Sequence, residues 1–122
     1  MSAPALWDWL YEALEPMGVV RIRRMFGGAG VSIDGYNIGF AGDDALYLKV
    51  DAETLPAFEA EGLEPFIYTK AGVPVAMSYR RAPDAVFDDA GEMQHWGGLA
   101  LAAAMRAKAP KPRRAKRNNS GV

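Results

Sequence analysis

Side chains able to do chemistry are few in this sequence, and their spacing is poor for it. His95 is the single imidazole. To act as a base it would need Ser32 or Ser78, both distant in the chain, because nucleophilic catalysis requires a nucleophile, a base and an orienting group held together. No Gly-x-Ser-x-Gly elbow is present to hold either serine in reach. His95, beside Trp96, therefore reads as an ordinary surface or interface residue. With no cysteine, disulfides, thiolate zinc sites, iron–sulfur clusters and thiol nucleophiles are all excluded, which fits a reducing compartment. A metal would depend on carboxylates, yet Asp43-Asp44 and Asp88-Asp89 lack the alternating ligands and closing glutamate of a calcium loop. Both pairs read as turn and helix-start residues. The expectation is no catalytic residue, no metal and no cofactor.

Gly27, Gly28 and Gly30 in MFGGAGV invite comparison with a phosphate loop. A Walker loop needs four residues between its glycines and then Lys-Ser or Lys-Thr, and a dinucleotide fingerprint opens a helix, whereas strands are expected on both sides here. One reading is a bend or bulge where backbones approach closely. The other involves Arg24, which strict alternation from Val20 through Ile22 places on the apolar face together with Phe26. A guanidinium there keeps its proton and needs a carboxylate, a set of carbonyls or a bound anion. It is either an internal ion pair or strand-end residue reaching water, or an anion site built from Arg24 and the amides at Gly27, Gly28 and Gly30. The opposite sheet face would show Arg21, Arg23, Ser32, Asn37, Tyr47, Lys49, Ser78 and Arg80. That face is either plain solvated surface or a place where phosphates and bases are held.

The elements that position these residues follow from periodicity and turn chemistry. In segment 3–17 the polar side chains Asp8, Glu12 and Glu15 fall four and three apart, one narrow stripe of a helix. Pro4 suits its start, Ser2 its cap and Gly18 a left-handed stop. The apolar arc with Leu6, Trp7, Trp9, Leu10 and Tyr11 is wider than one buried face needs, which predicts cover from the sheet on one flank and a second subunit on the other, hence a homodimer. From Val19 to Val50 the period drops to two, with Asp34-Gly35 as a type I′ hairpin signal, Tyr36, Ile38 and Phe40 on one face, and Leu46, Leu48 and Val50 on another. Asp51 caps a helix over about 52–61 closed by Gly62. A second hairpin turns at Lys70-Ala71-Gly72, with Val73, Val75, Met77 and Tyr79 sharing a face, and ends at Pro83. Residues 84–108 form the last helix, whose Gly97 and Gly98 mark either a break or close contact with another element. The fold class is α+β: an antiparallel sheet of five or six strands with helices on one face, in the order α-β-β-β-α-β-β-α.

Length and charge bound the rest. The 122 residues suit one domain, 50% hydrophobic and 24% charged residues suit a globular chain, and no apolar run approaches the ~20 residues of a membrane span. MSAPALWDWL has no basic start, so a cytoplasmic protein is expected. Residues 1–105 hold seven basic against fifteen acidic residues, a net of −8, whereas 106–122 carry +7. The domain is assigned to 1–108 and a disordered basic tail to 109–122, whose Arg113, Arg114, Lys116 and Arg117 either meet nucleic acid weakly or are merely solvated.

Taken in order, Arg24-Met25-Phe26-Gly27-Gly28, Leu46-Tyr47-Leu48-Lys49, Pro65-Phe66, Met77-Ser78-Tyr79 followed by Pro83, and Trp96 with Ala100 resemble the N-terminal domain of the TfoX/Sxy family over about residues 5–107. The resemblance implies a curved antiparallel sheet backed by helices, often dimeric, and a link to natural competence and cyclic-AMP-receptor-dependent transcription. It carries over no catalytic residue. Full-length relatives have a second, helical domain, and here a short basic tail stands after the first. The functional expectation is a non-enzymatic regulatory module binding a protein partner. The alternative is a small nucleic-acid-associated protein using its tail and polar sheet face.

Overall fold

A computed structural model describes residues 3–25, 28–42 and 45–108; the basic tail expected at 109–122 lies outside them. The first helix, α1 (Ala3–Leu14), turns Leu6, Leu10, Ala13 and Leu14 inward until they are fully buried. It stops short of residue 17 because Pro16 has no amide hydrogen to continue the ladder. The chain tightens into a 3-10 turn, Glu15–Met17, before Gly18. Gly18 is not a left-handed stop: its φ of 147° and ψ of −167° are extended on the positive side. A Cβ there would stand 2.5 Å from the Asp34 carboxylate, which accepts the Val19 amide at 2.8 Å.

Six strands follow, β1 (Val20–Met25), β2 (Gly28–Ile33), β3 (Tyr36–Ala41), β4 (Leu46–Lys49), β5 (Pro65–Lys70) and β6 (Val73–Arg81), in one antiparallel sheet of order β1-β2-β3-β4-β6-β5. The hairpin turns form where expected, with positive φ at Asp34-Gly35 and at Ala71-Gly72. Between β4 and β5 lies α2 (Leu55–Ala60), shorter than the span 52–61. Its approach is closed by a reciprocal cap, in which the Thr54 amide donates to Asp51 Oδ1 and the Asp51 amide donates to Thr54 Oγ1, both at 3.1 Å. The final region is likewise two pieces, a 3-10 turn Asp84–Phe87 and then α3 (Ala90–Lys108). Asp89 separates them by accepting the amides of Gly91 and Glu92. Gly97 marks close contact: a Cβ there would lie 2.9 Å from the Leu14 side chain.

All three helices lie on one side of the sheet. Leu6, Leu10 and Leu14 of α1, Phe58 of α2, and Met93, Trp96 and Ala100 of α3 share one core with Val31, Ile33, Ile38, Leu46 and Leu48 of the strands. Of the dimer face expected on α1, two members belong to this core. Leu6 and Leu10 are spent in the core of their own chain. The Trp9 indole donates to the Val86 carbonyl at 2.7 Å, the Ile22 amide donates to the Tyr11 hydroxyl at 3.2 Å, and Trp7 lies beneath Arg24. Both flanks of the helix thus touch their own chain, while Tyr11 keeps 43% of its surface exposed.

Register corrects two face assignments. Between β2 and β3, Val31 opposes Gly39 and Ser32 opposes Asn37, leaving Ile38 as the extra residue of a bulge. Ile38 and Gly39 both turn inward and are buried, and Phe40 leaves the face it was expected to share with Ile38. In β6, Arg80 opposes the core residue Leu48, while Tyr79 and Arg81 oppose Lys49 and Tyr47. A strand's faces alternate strictly, so Arg80 and Ser78 belong to the helix side, and Tyr79 and Arg81 to the open side. No helix among the described residues is long and apolar enough to cross a membrane.

Candidate functional site

On the open side of the sheet, four aromatic side chains from four different strands meet. Phe40 of β3 stacks on Tyr47 of β4 with ring centroids 5.4 Å apart, and the edge-on pairs Phe40–Phe66, Phe40–Tyr79 and Tyr47–Phe66 lie at 4.8, 5.1 and 5.1 Å. Each of the four is half-buried. The distance between Phe40 and Phe66 reveals the shape of the sheet. Their strands, β3 and β5, are separated by β4 and β6, which in a flat sheet is about 14 Å at ~4.8 Å per strand. Rings 4.8 Å apart require the sheet to curl, concave toward this side, with the aromatics on the floor of the trough. Gly39 permits part of that curl, since a Cβ on it would collide with the Tyr47 carbonyl oxygen. Gly28 behaves similarly, a Cβ there standing 2.5 Å from the Ala41 carbonyl oxygen, as the bend reading of these glycines expects.

Cations frame the trough. Lys49 places its Nζ 5.4 Å from the centre of the Tyr79 ring. Arg81 lies opposite Tyr47, and Arg21 and Arg23 of β1 oppose Ser32 and Gly30. Among the described residues, none of Arg21, Arg23, Lys49 and Arg81 has a carboxylate within salt-bridge distance. Arg80 differs: it donates to the Leu63 carbonyl at 2.8 Å and pairs with Glu59 at 3.6 Å on the helix side. Charge is segregated throughout. Every basic residue before 106 (Arg21, Arg23, Arg24, Lys49, Lys70, Arg80 and Arg81) falls inside a strand, and the thirteen acidic residues among the described residues all fall outside the strands. The net of −8 for residues 1–105 therefore says little about the sheet itself.

Other expected sites come out differently. Arg24 lies on the helix side as alternation requires, but it answers its charge by reaching solvent across the Trp7 indole, its guanidinium carbon 5.2 Å from the ring centre. Gly28 and Gly30 are ladder residues of β2, Gly28 paired with Met25 of β1 and Gly30 paired on both flanks, and do not form a turn of inward amides; Gly27 lies outside the described residues. His95 is exposed on α3, edge-on to Trp96, while Ser32 stands on the other side of the sheet. No group of three metal-ligating side chains occurs among the described residues. The strongest electrostatic coupling joins α3 to the segment after β4. Arg106 of α3 clasps Asp51 with bonds of 2.7 and 3.0 Å and lies 3.1 Å from Glu53. Its guanidinium holds the Asp51 carboxyl down to about 2 and is itself shifted upward.

Of the open-side residues expected from sequence, the structure brings Tyr47 and Lys49 to the aromatic floor and leaves Arg21, Arg23, Ser32 and Asn37 on β1, β2 and β3 beside it. Sequence reading missed Phe40, Phe66, Tyr79 and Arg81. The glycine at 39 was the available signal for Phe40, since an interior strand glycine points to a bulge. Arg113, Arg114, Lys116 and Arg117 of the expected nucleic-acid set lie outside the described residues. Compared with known families, residues 12–104 match the TfoX N-terminal domain. No curated protein matches the chain.

Proposed function

The chain belongs to the TfoX N-terminal domain family, and from that premise we propose that it is a regulatory module, serving competence or transcription, which works by holding a macromolecular partner on the open side of its sheet and carries out no turnover. What supports this reading is the trough itself. Its exposed chemistry is aromatic and cationic, with rings from β3, β4, β5 and β6 and cations from β1, β4 and β6. Side chains of those kinds bind, whereas proton transfer needs a poised acid or base beside a reacting group. The family assignment points the same way.

Transcript profiling in the native host tests it. A strain whose chromosomal copy carries Lys49→Glu with Arg81→Glu should reproduce the profile of a deletion strain while protein abundance stays unchanged. A wild-type profile from that strain would remove the open side as the working surface.

A further inference from the structure

We propose that the occupant of the trough is single-stranded nucleic acid, its bases stacking on Tyr47, Phe40 and Tyr79 and its phosphates lying on Lys49, Arg81 and the β1 arginines. This rests on the reading of the open side as the working surface and names the class of partner. Two independent observations carry it. The first is charge complementarity. The acids among the described residues lie outside the strands, and those on α1, α2 and α3 stand on the far side of the sheet. A helix layer is about 10 Å thick, more than the Debye length of about 8 Å at physiological salt. A phosphate in the trough feels the sheet cations ahead of the acids on those helices.

The second is the floor. The half-buried rings converging from four strands pack on one another and keep part of their surface in solvent, and base stacking on aromatic surface accepts any base. Lys49 beside Tyr79 sets a cation next to a ring, the juxtaposition that a nucleotide's phosphate and base require. An acidic polypeptide would use the cations and leave the rings idle. A duplex keeps its base faces hidden inside the stack, and a concave floor suits its rounded outside only through phosphate contacts.

The experiment is fluorescence anisotropy of a labelled dT12 strand with the full chain at two salt concentrations, each variant checked for its fold by circular dichroism. Tyr47→Ala should weaken binding at least fivefold, while Tyr47→Phe, which keeps the ring, should bind like the wild type. Lys49→Glu should weaken binding and reduce the log–log salt slope by about 0.7. A full chain carrying Arg113, Arg114, Lys116 and Arg117→Ser should lose some affinity yet show the same loss on Tyr47→Ala. If the tail substitutions abolish binding and Tyr47→Ala changes nothing, the trough is not the site and the proposal fails. It also fails if a 12-base-pair duplex binds as tightly as dT12. Should dT12 and U12 both show no binding while polyglutamate binds with a dependence on Lys49, the nucleic-acid assignment is overturned and the open side keeps a different partner. A transcript profile unaffected by Lys49→Glu with Arg81→Glu, by contrast, overturns the regulatory reading and leaves the binding data standing.

Discussion

Ala71 holds a φ of 54° in the turn between β5 and β6, a left-handed conformation in which the Cβ of an L-residue crowds the following carbonyl at a cost of about 1 kcal/mol or more. The equivalent place in the β2–β3 turn is filled by Asp34, with a φ of 52°, a residue type that tolerates the conformation. Ala71→Asn should therefore raise stability by about 0.5–1 kcal/mol, seen as a higher urea midpoint at unchanged slope. A lower midpoint would mean that Ala71 does not hold this conformation. Gly39 is the opposite case. It is buried where β3 passes β4, and a Cβ there would meet the Tyr47 carbonyl oxygen. Since backbone cannot swing aside as a side chain does, Gly39→Ala should cost about 2 kcal/mol or more and flatten the trough; an unchanged midpoint would show the curl to be slack.

Elements are joined by a few directed contacts whose removal is measurable. The Trp9 indole ties α1 to the turn before α3 through the Val86 carbonyl. Trp9→Phe keeps most of the apolar surface but leaves that carbonyl without its donor, so a loss of about 1–3 kcal/mol is expected, and a neutral result would show water replacing the indole. At the other end of α3, Arg106 holds Asp51. Hydrogen bonds from the guanidinium, then from the amides of Thr54 and Glu53, hold the folded carboxyl at about 2, below the ~3.9 of an unfolded aspartate. The unfolded chain therefore binds this proton first on acidification. The stabilisation is complete above the unfolded value and disappears as pH falls from there through about 2. Asp51→Asn should accordingly be less stable than wild type at pH 6, with the gap closing between about pH 4 and 2. Both side chains are partly exposed, so the gap should also shrink in high salt. A gap independent of pH would mean that the pair contributes through shape alone.

At the scale of the whole molecule, the sheet separates a cationic, aromatic surface from an acidic layer of helices. The consecutive arginines Arg80 and Arg81 report on that division. Arg80 reaches the Leu63 carbonyl and Glu59, whereas Arg81 lies opposite Tyr47 on the open side. Arg80→Glu should lower stability by about 1–2 kcal/mol, through the lost hydrogen bond and a new like-charge contact with Glu59. Arg81→Glu should stay within about 0.5 kcal/mol of wild type, as surface substitutions usually do. Equal losses at both positions, read from urea midpoints, would contradict the assignment of faces.

How far the sequence reached divides along the same scales. Helix and strand periods and the Asp34-Gly35 turn were legible because each depends on residues a few positions apart, whereas the last helix starts at Ala90 and not at 84. The α+β class followed from their order, and the family resemblance from motifs such as Arg24-Met25-Phe26-Gly27-Gly28 and Met77-Ser78-Tyr79. The faces of β3 beyond Ile38 and of β6 were not legible, because a period of two says which residues share a face but not which face is buried. The bulge at Ile38 shifted Phe40 to the open side, and pairing with β4 did the same for Tyr79 and Arg81. The cover on α1 was equally a tertiary matter, since β1 and the turn before α3 come from distant parts of the chain. Local chemistry thus settled the elements, and only long-range pairing decided that four rings and their neighbouring cations would gather in one trough.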